Sequence, residues 1–190
     1  MLNHNNINQF KINLNNQEER DLLFSYLKDY LDSNKNTKIL NGQSIQYGVW
    51  ILKLFISDSS IDVKEADPSN PKEFRDGFSF AFNLMKDQIA LCELNNIAYT
   101  PAQGDELCAI FPDVITKDNI VYGLRWSKEK NMSGFLFWTD NSPQDMSKVS
   151  IYHIYDLPKI KPELLRFLGI PVGYRFNVNT GVLTKDDTLL

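Results

Sequence analysis

Histidine and cysteine are scarce in this chain of 190 residues, with two of each, and the scarcity limits its chemistry at once. A protein-bound transition metal needs several nitrogen, sulfur or carboxylate ligands brought together. His4 and His153 form no ligand-spaced pair, so no metal and no other cofactor is expected. Cys92 and Cys108 lie in apolar stretches, where a thiol acts as a small hydrophobe, and both are read as reduced core residues. A basic surplus is also missing. Twenty lysines and arginines against 24 acids leave a net charge of -4, without the clustered positive field that nucleic acid requires. The longest apolar run, GVWILKLFI, is too short for a bilayer and is broken by Lys53, so no membrane span is expected. The opening MLNHNNINQF lacks a basic region followed by an apolar one, which argues against a secretory signal and for a cytoplasmic protein.

What the chain does contain is enough apolar sequence for a core, 43% of all residues, arranged in recognisable patterns. Residues 1–14 are polar and asparagine-rich and read as a flexible lead-in to a single α+β domain over 15–190. A change of composition at TPAQG, near residue 100, suggests two subdomains meeting there. Asn16 and Glu19 resemble a capping box, followed by Leu22, Leu23, Tyr26, Leu27, Tyr30 and Leu31 at helical spacing, so the first helix runs to about SNKN. IQYGVWILKLFIS reads as one central strand covered on both faces, and SIDVKEADP as a second strand joined to it through SDSS. Asn70, Pro71 and Glu73 look like the start of a long helix over 71–95, with Phe74, Phe78, Phe82, Met85, Ile89 and Cys92 on its buried stripe. Arg75 and Gln88 lie at the stripe's edge, where burial demands hydrogen-bond partners.

From residue 105 the pattern shortens. DELCAIF, NIVYGLRWS and SGFLFWTD, separated by polar loops, predict an antiparallel meander. KVSIYHIYDL fits either a strand or a helical face, and is taken as a short helix ended by Pro158. Pro162 opens another, PELLRFL, closed by Gly169. The predicted fold is thus α+β: an antiparallel sheet packed against a long helix, with an N-terminal helix and short C-terminal helices.

No catalytic constellation emerges, and the chain is not expected to be an enzyme. His153 and Asp156 share a face if their segment is helical, a spacing suited to a general base, but no nucleophile accompanies them. GIPVG lacks the lysine and hydroxyl of a phosphate loop, and its proline removes an amide. It serves as a turn, with Gly169 as a left-handed stop and Gly173 as a bend into the final strand. Asp58, Asp62, Glu65 and Asp67 cluster before the long helix and form either a solvated face or a rim for a basic partner. In the meander, Phe135 and Phe137 share one face and Trp138 points to the other.

Two stretches then combine. NMSGFLFWTD, with Ser133-Gly134-Phe135, and LLRFLGIPVGYRF some thirty residues later resemble the "SGW … fLxLPxG" pattern of a bacterial domain family assigned to toxin-immunity proteins. The likeness extends over about residues 45 to 176. Phe135 stands where the pattern has tryptophan, and Gly169 where alanine is commoner. The resemblance implies a small protein that binds and blocks a cognate toxin by steric occlusion, with Asp62, Glu65, Asp67 and Tyr122 as the candidate partner-binding residues. The alternative is a small-ligand-binding or regulatory module that uses Arg125, Trp126 and Trp138 of the meander's aromatic face.

Overall fold

The computed structural model describes residues 1–3, 5–33, 37–116, 119–127 and 129–190. His4 and part of the predicted helix end at SNKN lie outside them. The fold is mixed α/β and β-rich, with several sheets, and the chain divides into two compact units, residues 1–82 and 83–190.

In the N-terminal unit the asparagine-rich lead-in carries two short strands, β1 (Leu2–Asn3) and β2 (Lys11–Ile12), and its apolar residues Leu2, Ile7 and Ile12 are all buried. Helix α1 (Gln17–Ser33) begins as its sequence predicts. The Asn16 side-chain oxygen accepts from the Glu18 and Glu19 amides, and Leu23, Leu27 and Leu31 are buried on one face. Glu19 does not complete a capping box, because its carboxylate accepts from the Ser79 hydroxyl at 2.7 Å.

Beyond β3 (Lys38–Ile39), which pairs with β1, the predicted single strand is a hairpin. β4 (Gln43–Tyr47) and β5 (Trp50–Ile56) are antiparallel, and Tyr47 opposite Trp50 leaves a two-residue turn in which Gly48 takes φ 56°. β5 also alternates, with Trp50, Leu52, Leu54 and Ile56 buried and Ile51, Lys53 and Phe55 half-buried, so one face meets the core. β6 (Ser60–Asp67) pairs with β5 as expected and adds β2 and β7 (Asn70–Asp76), giving the order β2-β6-β5-β4 with β7 also on β6.

β7 corrects the predicted helix start. Asn70, Pro71 and Glu73 mimic a helix cap, yet Phe74 pairs with Ala66 and Arg75 with Glu65 across an antiparallel ladder. Proline at the head of an edge strand and the charges of Lys72, Glu73, Arg75 and Asp76 suit a strand that must not recruit another chain. Helix α2 spans only Ser79–Leu94, and its last leucine is 78% exposed.

The C-terminal unit is built on a six-stranded sheet ordered β11-β8-β10-β9-β12-β13. Its members are β8 (Leu107–Ile110), β9 (Val121–Arg125), β10 (Met132–Thr139), β11 (Ser150–His153), β12 (Tyr174–Asn177) and β13 (Leu183–Lys185). It is mixed rather than a meander. β9 and β10 form the expected antiparallel pair, but β8 lies parallel to β10, and the chain between β8 and β9 contains helix α3 (Pro112–Thr116) where a polar loop is predicted. SIYH is a strand, and Pro158 falls in the first turn of helix α4 (Leu157–Ile160) instead of ending a helix. Pro162 does open a helical segment, of 3-10 type, over Pro162–Phe167.

Register fixes the two faces of this sheet. Ile110, Phe135, Phe137, Gly123, Arg125 and Phe176 share one of them. It is filled, with Phe167 stacked on Phe176 at 4.9 Å and Phe135 beside Phe137 at 6.0 Å. Cys108 is buried on its strand, and both cysteines are free thiols.

Candidate functional site

The two motif stretches meet at Arg125. This arginine ends β9 with its side chain 1% exposed, its guanidinium over the Phe135 ring at 4.8 Å. Its Nε donates to the Ser133 carbonyl at 3.2 Å, and Nη1 donates to the carbonyls of Thr100 and Ile170, each at 2.5 Å. The Arg125 carbonyl in turn accepts from the Gly173 amide at 2.9 Å. Burial pulls the guanidinium down to about 10, against the opposing charge of Glu106. One cation therefore ties the SGF strand, the 100–102 segment and the GIPVG turn together.

The glycines of the motif fit this joint. Gly134 takes φ 83° where β10 shifts register against β8, and a Cβ there would lie 2.1 Å from the Trp126 carbonyl oxygen. Beside it the buried Ser133 hydroxyl donates to the Leu107 carbonyl at 2.8 Å. Gly169 is not a left-handed stop, since its φ is not positive. It is small for space: a Cβ would sit 2.6 Å from the Tyr99 ring and 3.1 Å from the Gln88 Cβ. Gln88 is itself fully buried, and the partners its position demands are present. Its Nε2 donates to the Leu165 carbonyl at 2.7 Å, and its Oε1 accepts from the Tyr99 hydroxyl at 3.0 Å. Gly173, at φ 90°, makes the bend into β12.

The opposite sheet face carries Tyr122, Leu124, Leu136, Trp138 and Ile151. Tyr122 and Trp138 stack at 6.0 Å, both half-buried, and Ile151 is 49% exposed. Desolvation, then the Asp140 carboxylate, raises the Tyr122 phenol. Arg125 and Trp138 consequently point to opposite faces, and Trp126 follows Arg125 half-buried. The structure does not bring these three candidates together.

The acidic candidates separate by environment. Asp62 is exposed, accepts from the Asn13 side-chain Nδ2 at 2.8 Å, and lines a groove of about 870 Å³ with Glu19, Asp76 and Lys64. Lys64 is paired with Asp76 at 3.0 Å. Glu65 is 2% exposed and turned inward. Its carboxylate accepts from Arg75 at 2.8 Å and from the Phe80 and Ala81 amides at 3.2 and 2.8 Å, which caps helix α2 from a neighbouring strand. Asp67 closes a turn through Ser69, whose side chain and amide hydrogen bonds hold its carboxyl below the usual range. Arg75, expected at a helix edge, is the strand partner of Glu65, a role that a helix over 71–95 does not offer.

His153 is exposed, with Nδ1 3.2 Å from the Asp105 carbonyl, and its segment is a strand, so the helical spacing to Asp156 does not apply. Among the described residues no three histidine, cysteine or acidic side chains gather as a metal site. No helix among them is long and apolar enough to cross a membrane.

The C-terminal unit is thus a mixed α/β domain whose motif residues bind its own backbone and whose second sheet face carries the Tyr122–Trp138 pair among aliphatic residues. Residues 87–185 match the Imm33-like domain, an immunity protein family; the match covers just over half of the chain, and the chain belongs to that family. The match begins well after residue 45, where the likeness read from the sequence starts, and falls within the C-terminal unit. No curated protein and no solved structure matches the chain.

Proposed function

We propose that this protein protects its cell by binding a cognate bacterial toxin in the cytoplasm and covering the toxin's working surface, with no catalytic step of its own. Membership of the Imm33-like family carries the reading. The Tyr122–Trp138 stack supports it: a rigid, half-exposed aromatic pair beside the exposed Ile151 is the kind of surface on which binding energy concentrates. Asp62 and Asp67, both in the N-terminal unit, are proposed as acidic groups that speed encounter with a basic toxin. Glu65, buried against Arg75 and helix α2, contributes by holding that region in shape.

The test is to read the neighbouring gene and, with the secreted toxin expected there, to co-express the chain, read as survival and as co-purification. Trp138→Ala and Tyr122→Ala are each expected to weaken the complex by about thirtyfold, as for a central aromatic anchor, while the thermal midpoint stays close to that of the parent. Full protection by both variants would remove this face from the interface. Failure of the parent chain to protect against, or co-purify with, the neighbouring toxin would remove the toxin reading itself.

A further inference from the structure

A second feature of the Imm33-like unit is polar. A hollow of about 510 Å³ is lined by Asn119, Lys161, Glu163, Arg166, Val178 and Asn179 among others. Its chemistry is dominated by donors. The Asn119 Nδ2 is buried with no hydrogen-bond partner among the described residues. The Asn179 side-chain oxygen is already taken by the Val121 amide at 2.7 Å, which leaves its amide nitrogen as the group free to act. Lys161 and Arg166 form no ion pair, Glu163 included, among the described residues.

A buried amide nitrogen without an acceptor costs stability unless something outside the chain satisfies it, and two cations without a carboxylate partner, Arg166 having only the Phe167 ring at 5.5 Å, set the sign of what would. We propose that this hollow is an oxyanion site, built to receive a carboxylate. On the toxin-binding reading above, that carboxylate belongs to an aspartate or glutamate of the bound toxin. Arg166 and Lys161 supply charge-assisted hydrogen bonds, and Asn119 supplies a neutral third. Glu163 opposes the ligand and sets its affinity. The site adds to the aromatic face a contact whose specificity is for charge, so that the two surfaces together select a partner by shape and by an acidic group.

The experiment titrates the full-length chain with sodium acetate, with inorganic phosphate, and with sodium chloride at matched ionic strength, following side-chain amide and guanidinium resonances by NMR. Acetate is expected to shift the Asn119 side-chain NH2 and the Arg166 Nε–H signals saturably, with chloride producing no saturable change. The double variant Lys161→Gln/Arg166→Gln should weaken acetate binding by about tenfold, the effect of losing charge-assisted hydrogen bonds at a partly exposed site. Glu163→Gln should tighten it. All three positions are half-buried or exposed, so folding is expected to survive, and an unchanged backbone spectrum checks this. Identical responses to acetate and chloride, or an unaltered dissociation constant in the double variant, would overturn the site. Tighter binding of phosphate than of acetate would overturn its assignment to a carboxylate. No toxin enters this titration, so its failure is distinct from failure of the toxin reading.

Discussion

Arg125 shows how much one side chain holds in place. Replacing it with methionine keeps much of the volume but leaves three carbonyls, those of Thr100, Ser133 and Ile170, without their donor. The expected loss is about 3 kcal/mol or more, measured by urea unfolding, because each stranded buried acceptor costs about 1–3 kcal/mol. Gly169→Ala is expected to cost about 1–3 kcal/mol by overpacking against Tyr99, and trimming Tyr99 in the same chain should recover part of it. Burial pushes the Cys108 thiol up to about 12 and raises that of Cys92 as well. Iodoacetamide at pH 8 should therefore leave both unlabelled in the native protein and label both in denaturant; rapid native labelling would contradict their burial. The reading of both as core thiols follows from apolar neighbours alone. The role of Arg125 does not, since its three acceptors lie 8, 25 and 45 residues away and carry no side-chain signature.

Among the elements, helix α1 is legible because its determinants are local: an asparagine cap and leucines four apart. Helix α2 is legible only from Ser79 onward. Asn70, Pro71 and Glu73 have the right identities for a helix start, and Phe74 and Phe78 the right spacing, but the pairing of Arg75 with Glu65 ten residues earlier outweighs local preference. The same limit hides the parallel pairing of β8 with β10, which no turn signal announces. Glu65→Gln tests the cap on α2. It should lower stability by about 1–2 kcal/mol and speed hydrogen exchange at the Phe80 and Ala81 amides before the rest of the helix. The β12–β13 hairpin carries a second test. Thr188 and then Arg175, whose Nε lies 2.5 Å from the carboxylate, hold Asp186 at about 2, below its ordinary 3.8. A depressed carboxyl adds stability that is present above pH 3.8 and is lost as pH falls toward about 2. Thermal midpoints of the parent and Asp186→Asn should accordingly differ above pH 3.8 and converge near pH 2; a gap that persists at pH 2 would show that the hairpin does not depend on this charge.

At the scale of the whole molecule, the family region and the folded unit have different starting points. The Imm33-like match opens at residue 87, eight residues into a helix that begins at Ser79. A fragment cut at the match would start within α2 and lose its first two turns together with the Phe80 and Ala81 amides that Glu65 holds. Circular dichroism should show less helix per residue in such a fragment than in the full chain. The acidic balance, net -4, also belongs to this scale: the association rate with a basic toxin should fall as salt rises, while the dissociation rate changes little. A salt-independent association rate would place Asp62 and Asp67 outside the encounter. The joint at Arg125 has a last consequence for how such a chain can diverge. Its grip is on main-chain oxygens, which every residue type supplies, so the arginine itself places no demand on the side chains of residues 100 and 170 as long as the trace beneath them holds its course. A relative could thus repaint nearly all of its outer surface for a new adversary while the same arginine goes on clasping the same three strands of chain.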